Sequence, residues 1–155
     1  MGWGLALAFA EKGCHVFATA RNPAKAASLA AENVEVLPLD VTSAESIAAC
    51  EKEIRAKTDG KLDMLVNNAG VANIMPVIDT PVEMARAEFE VNYWGAWSMI
   101  NAFSSLLIEA KGTIVTISSM AAVARIPWQG MYKFQSLERT KSECPVSLNG
   151  MESYV

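Results

Sequence analysis

The chain has little charge and few of the residues that mark a specialised class. Of its 155 residues, 19% are charged and one is histidine. The net charge of −4 gives nucleic acid or an anionic membrane no electrostatic reason to bind. Three cysteines, Cys14, Cys50 and Cys144, form an odd set without metal-ligand spacing. They argue against a disulfide scaffold and a cysteine-bound metal, and they fit a reducing compartment with Cys14 and Cys50 in the core. No apolar run approaches the roughly 20 residues that span a bilayer. The run from Trp3 to Ala10 has no positive residue before it, and Glu11-Lys12-Gly13 leads on into a strand-like segment, unlike a secretory leader. Ala6 stands where a myristoylation signal needs Ser or Thr. Repeats and low-complexity tracts are lacking as well. The expectation is a soluble cytoplasmic protein with no membrane span, no nucleic-acid partner and no metal.

What is present is apolar and alternating. Hydrophobic residues make up 52% of the chain, enough for one domain with a sizeable core. An Ala- and Leu-rich stretch over 3–12 predicts a helix that stops at Gly13. Cys14 to Ala20 reads as a buried strand containing His15, and Asn22-Pro23 opens a short helix over 24–31. Val34 to Leu39 is the next strand, and Thr42-Ser43 with Glu45 caps a helix from about 43 to 57. Leu62 to Val66 is a third strand, ended by Asn67-Asn-Ala-Gly70 and followed by an irregular segment to Asp79. Thr80-Pro81 starts a long helical region to Ala110 with Gly95 as a weak point, and Lys111-Gly112 turns the chain into a fourth strand, Thr113 to Ile117. Strands separated by helices predict an α/β fold with parallel βαβ units. After Ile126 the periodicity fades, leaving a short helix at 134–141 and a loose tail.

Several local features can carry chemistry, and each has a plainer reading. Gly2-Trp-Gly4 at a helix start lets a pyrophosphate approach the backbone, or else serves a close helix–strand contact. Arg21, just past a strand, can meet a phosphate or simply face solvent, and Asp40 beside Val41 can be an ordinary cap residue. Asn67-Asn-Ala-Gly70 can be a generic turn, although consecutive asparagines before Ala-Gly are less expected by chance. Asn92 can be a helix-interior asparagine bonded to backbone. Ser118-Ser119 ends a strand, where a doubly wound sheet presents ligand-binding groups. Tyr132 alone would read as a surface tyrosine, and Trp94, Trp97 and Trp128 as packing residues.

Taken together and in this order, Gly2-Trp-Gly4, Arg21, Asn67–Gly70, Asn92, Ser119 and Tyr132 resemble the short-chain dehydrogenase/reductase family over roughly residues 2–132. Leu5 to Arg21 is especially similar to its NADPH-dependent carbonyl reductases, acyl-dihydroxyacetone-phosphate reductase-like proteins among them. The resemblance implies a Rossmann-like doubly wound parallel sheet. It also implies a small carbonyl or secondary-alcohol substrate and a homo-oligomer, since relatives commonly associate through long helices. It assigns Ser119, Tyr132 and Asn92 to catalysis: Ser119 bonding the substrate carbonyl, Tyr132 moving the proton, and Asn92 holding a relay water. It assigns Gly2, Gly4, Arg21, Asp40, Val41, Asn68, Ala69 and Gly70 to NADP(H), with Arg21 pairing the 2′-phosphate.

The sequence departs from the family in two respects. The lysine expected four residues after the tyrosine is Ser136, and neither Lys133 nor Lys141 has the helical spacing to replace it. That lysine binds the nicotinamide ribose and brings the tyrosine from about 10 to near 7, worth roughly 4 kcal/mol. The four strands match the family's strands 2 to 5, so the central strand 1, the first glycine of the phosphate loop, and strands 6 and 7 have no counterpart. The expected organisation is therefore a partial dinucleotide-binding domain over 1–132 and a divergent tail over 133–155, with impaired turnover. A non-redox isomerase, cyclase or binding scaffold, and an inactive truncated gene product, stay open beside it.

Overall fold

The computed structural model describes residues 1–29, 33–124 and 128–132. The chain divides into two compact units, Met1–Gly60 and Lys61–Val155. The helix expected at 134–141 and the tail with Lys133, Ser136, Lys141 and Cys144 lie outside the described residues, as does the end of the helix expected over 24–31. The described strands form two parallel two-stranded sheets, β1–β2 and β3–β4. No described helix is long and apolar enough to cross a membrane.

In the first unit, α1 (Gly2–Glu11) ends as expected, because Gly13 takes φ 83 and donates to the Ala10 carbonyl at 2.9 Å. β1 (Val16–Ala20) pairs in register with β2 (Val34–Pro38), from Val16 opposite Val34 to Ala20 opposite Pro38. Ala6 and Val34 form a small core, with Ala10, Val16, Ala18, Ala26 and Val36 packed against it. α2 (Ala44–Lys57) starts where the capping residues predict, with Ser43 Oγ accepting from Ser46 N at 3.2 Å. It lies against β2 and buries Ile47, Cys50 and Ile54. Burial pushes the Cys50 thiol up to about 11, so it behaves as an inert apolar group.

Three expectations for this unit need correction. Cys14 is exposed, because the turn at Gly13 holds its amide on the Phe9 carbonyl at 3.1 Å and pairing begins only at Val16. His15 likewise precedes the strand and bonds Glu35 at 2.8 Å from the surface. β1 itself is half-buried with Thr19 exposed, and not a fully buried strand. Residues Pro23–Leu29 form a 3-10 helix. Asn22 takes Ala24 N on its side chain and Lys25 N on its carbonyl, both at 3.1 Å, which starts the chain at the tighter pitch.

In the second unit, β3 (Met64–Asn67) pairs with β4 (Thr113–Thr116). Between them runs one continuous helical region: α3 (Val82–Phe89), a π-helical stretch Glu90–Gly95, and α4 (Ala96–Ala110). The weak point foreseen at Gly95 is thus a widened turn rather than a break. Phe103, Leu106 and Leu107 are the largest fully buried apolar side chains among the described residues. α4 ends at Lys111 in the left-handed region (φ 52, ψ 41). A Cβ on the neighbouring Gly112 would overlap the Leu62 carbonyl and stand 2.8 Å from that of Asp63, so glycine is required there by space. Trp94, Trp97 and Trp128 do not pack as expected; they are 50, 54 and 62% exposed. The buried stripe of this helical region runs instead through Met99, Phe103 and Leu106, and neither tryptophan of the helix lies on it.

Candidate functional site

In the first unit the candidate residues gather by chain geometry. α1 is ~15 Å long, and after the turn at Gly13 it packs against β1, a strand of ~16 Å. The start of α1 and the end of β1 therefore share an edge, which puts Gly2 and Gly4 on the same side as Arg21. Leu39 N bonds the Ala20 carbonyl at 3.0 Å, which brings Asp40 and Val41 to that edge too. A Cβ on Gly4 would meet nothing within 4 Å, so helix–strand packing is not what calls for glycine. An open glycine in the first turn of a helix is what an approaching phosphate needs.

Arg21 is exposed and acts electrostatically on Asp40. The Asp40 carboxyl is held below its ordinary range, first by the Thr42 hydroxyl at 2.7 Å, then by the Thr42 amide at 3.0 Å, with Arg21 adding a smaller part. Its Oδ1 is thus committed to a local turn ahead of α2, the plainer role weighed for it. Val41 is half-buried beside it.

In the second unit, parallel pairing of Asn67 with Thr116 carries Asn68, Ala69 and Gly70 to the edge where Ser119 follows β4. The Ile117 amide donates to the Asn67 carbonyl at 2.9 Å and extends that alignment. Asn68, Ala69 and Gly70 are exposed. Ser119 caps a 3-10 turn, Met120–Ala122, its Oγ accepting from Ala121 N at 3.2 Å. A hydroxyl that accepts in this way keeps its proton to donate. Asn92 is 3% exposed, sits in the π-helical stretch, and grips the Val71 backbone twice. Its Oδ1 accepts from Val71 N at 2.8 Å and its Nδ2 donates to Val71 O at 2.7 Å. A Cβ on Gly70 would stand 3.4 Å from Asn92 Oδ1, an ordinary contact, which puts the Asn-Asn-Ala-Gly segment directly beside that amide. Tyr132 is half-buried on helical backbone beginning at Gly130.

One residue of this region was not singled out from sequence. Glu88 is 1% exposed; its Oε2 accepts from Asn73 Nδ2 at 3.2 Å, and Oε1 meets no hydrogen-bond partner among the described residues. Burial raises its carboxyl above the ordinary range, opposed by the Asn73 hydrogen bonds. The signal was available: Glu88, Asn92, Gly95, Met99, Phe103 and Leu106 recur every three or four residues, and all are buried.

The parallel strands and the helices between them define an α/β protein of the Rossmann-like kind. A sequence profile described as Enoyl-(Acyl carrier protein) reductase matches residues 1–135, and the chain belongs to the short-chain dehydrogenase/reductase family of oxidoreductases. A short-chain dehydrogenase of Penicillium ochrochloron is 47% identical over 133 residues, covering 85% of this chain and 49% of the relative. An NADPH-dependent 1-acyldihydroxyacetone phosphate reductase of Schizosaccharomyces pombe is 37% identical over 132 residues, covering 85% of this chain and 45% of the relative. Among solved structures, an alcohol dehydrogenase from the archaeon Thermococcus sibiricus, complexed with 5-hydroxy-NADP, superposes with a TM-score of 0.78 at 26% identity. That match covers 91% of this chain and 64% of the other. The chain thus spans about half the length of the curated relatives it matches.

Proposed function

We propose that the chain is an NADP(H)-linked carbonyl reductase or secondary-alcohol dehydrogenase whose own proton-transfer machinery is weakened. The observation that carries this reading is an open Gly4 in the first turn of α1, at the edge that also bears Arg21. Gly2 and Gly4 supply backbone amides for a pyrophosphate, Arg21 a guanidinium for the 2′-phosphate, and Asp40 and Val41 the flank for adenine. Both the relative from Schizosaccharomyces pombe and the structure from Thermococcus sibiricus are named for the phosphorylated nicotinamide cofactor, which supports the same choice. In the second unit Asn68, Ala69 and Gly70 form the cofactor-facing segment. Ser119 donates to a substrate oxygen, Tyr132 delivers or accepts the proton, and Asn92 fixes the segment they act beside. When bound, the cofactor supplies or accepts the hydride.

Ser136 in place of lysine favours a second reading, a ligand-binding or non-redox member of the family. A fluorescence titration with NADPH and NADH separates the two. The redox reading expects saturable NADPH binding that Arg21→Glu weakens roughly tenfold or more, with NADH little changed. It also expects slow NADPH oxidation when a ketone is added. Binding of neither nucleotide by the unaltered chain would sink it, and ligand conversion without nicotinamide consumption would favour the second.

A further inference from the structure

The segment that bears Tyr132 comes close to the loop following β3 at Gly130. A Cβ added to Gly130 would overlap Val77 Cγ2 and stand 3.5 Å from Val77 Cβ. Gly130 is not among the residues with positive φ, so its missing side chain is required by space and not by torsion. Val77 has a half-exposed side chain, but its backbone is tied into a turn. It opens the 3-10 turn Val77–Asp79, which Asp79 N and Thr80 Oγ1 tie to the Pro76 carbonyl at 3.1 and 2.9 Å. Its β-branched side chain is stiff at χ1. The other end of the same loop is fixed on the helical region, by Asn92 on Val71 and by Glu88 on Asn73.

We propose that Gly130 and Val77 form a steric latch through which this loop sets the position of Tyr132, making Val77 a positioning residue. Glu88 and Asn92 hold the loop from behind, and Val77 transmits that placement to the backbone two residues before the phenol. Trp128, two residues before Gly130, takes the left-handed φ of 64. The importance of the latch for catalysis rests on the reading of Tyr132 given above; the latch itself does not.

Four proteins test it: the unaltered chain, Gly130→Ala, Val77→Ala and the double variant. Two readouts apply, the thermal midpoint and the NMR resonance of selectively labelled tyrosine, with Tyr132→Phe identifying its signal among the three tyrosines. Gly130→Ala is expected to lower the midpoint by roughly 5 °C or more and to shift the Tyr132 resonance. Val77→Ala removes the colliding methyl, so the double variant should recover most of both changes. Equal loss in the single Gly130 variant and the double variant overturns the latch. A midpoint that falls while the Tyr132 signal stays put overturns the positioning role. If Gly130→Ala does not fold, a folded double variant supports the latch and an unfolded one rejects it. NADPH oxidation followed in the same set separates the two ideas: no turnover in any variant counts against the redox reading, while the resonance still decides the latch.

Discussion

Glu35 in the first unit and Glu88 in the second are the same side chain in opposite circumstances. Glu35 lies at the surface between Lys57 and His15, and its carboxyl is pulled below the ordinary range, first by the Lys57 hydrogen bond. Glu88 is sealed in the core with an amide as its partner, and burial pushes its carboxyl up. The contrast extends to whole units. The polar side chains buried among the described residues, Asn67, Glu88 and Asn92, all belong to the second unit. The first unit keeps its charges at the surface, where ion pairs contribute little. Burying polar groups costs stability unless the geometry repays it, so their concentration around one loop marks where the fold gives up stability for arrangement.

The largest expected effect tests whether the second unit's packing is as unforgiving as its geometry implies. Gly112→Ala drives a methyl into two backbone carbonyls and is expected to destabilise that unit by about 3 kcal/mol. Hydrogen exchange should locate the loss in residues 61 onward. A chain as stable as the parent would mean that the β3–β4 connection is looser than described.

Of intermediate size is Glu88→Gln, which removes the ionisation but keeps an acceptor for Asn73. The folded-state value of Glu88 is raised, so the unfolded chain releases its proton first as pH climbs. Stability from this group is therefore full at low pH and lost as pH rises from the ordinary carboxylate value through the raised one. The glutamine variant is expected to be more stable than the parent at neutral pH by about 1 kcal/mol, and the two should converge in acid. Urea unfolding across that range checks it, and a constant difference at every pH would contradict the assignment.

The smallest effect belongs to Glu35→Gln and carries the opposite sign. The folded-state value of Glu35 is lowered, so its contribution is present above the ordinary carboxylate value and disappears as pH falls through the lowered one. At neutral pH the variant should be slightly less stable than the parent, and raising salt should erase the difference. A salt-insensitive loss would show that Glu35 packs more than it pairs.

Much of the framework was legible beforehand because local chemistry controls it. Gly13 stops α1, Ser43 caps α2, and the four strands are read from short β-rich runs between turns. Asn68, Ala69, Gly70 and Ser119 come to one edge because parallel pairing of β3 with β4 carries them there. The unread parts depend on non-local packing. Cys14 looked like a strand residue because nothing in its neighbourhood announces that pairing begins at Val16. The tryptophans looked like core because size alone argues for burial. Glu88 was passed over because charge argues for exposure, although the spacing of its neighbours put it on the buried stripe. Ser136 was legible only as a departure from a pattern, and no local rule says what it does instead.

The π-helical stretch Glu90–Gly95 has a consequence for how this protein can change length. A widened turn holds more residues than the α-helix it interrupts, so it stores a surplus that the flanking helices do not share. The rotation the wider turn gives up is about that of one α-helical residue, so deleting one residue inside it would let α3 and α4 join as a regular α-helix with the two halves in nearly the same phase. Glu88 and Met99 would keep their relative directions. The stretch therefore absorbs a residue between the half of the helix that grips the loop and the half that packs on the core. A single-residue deletion should be tolerated better there than within α3 or α4, where it would turn one half by about 100° against the other.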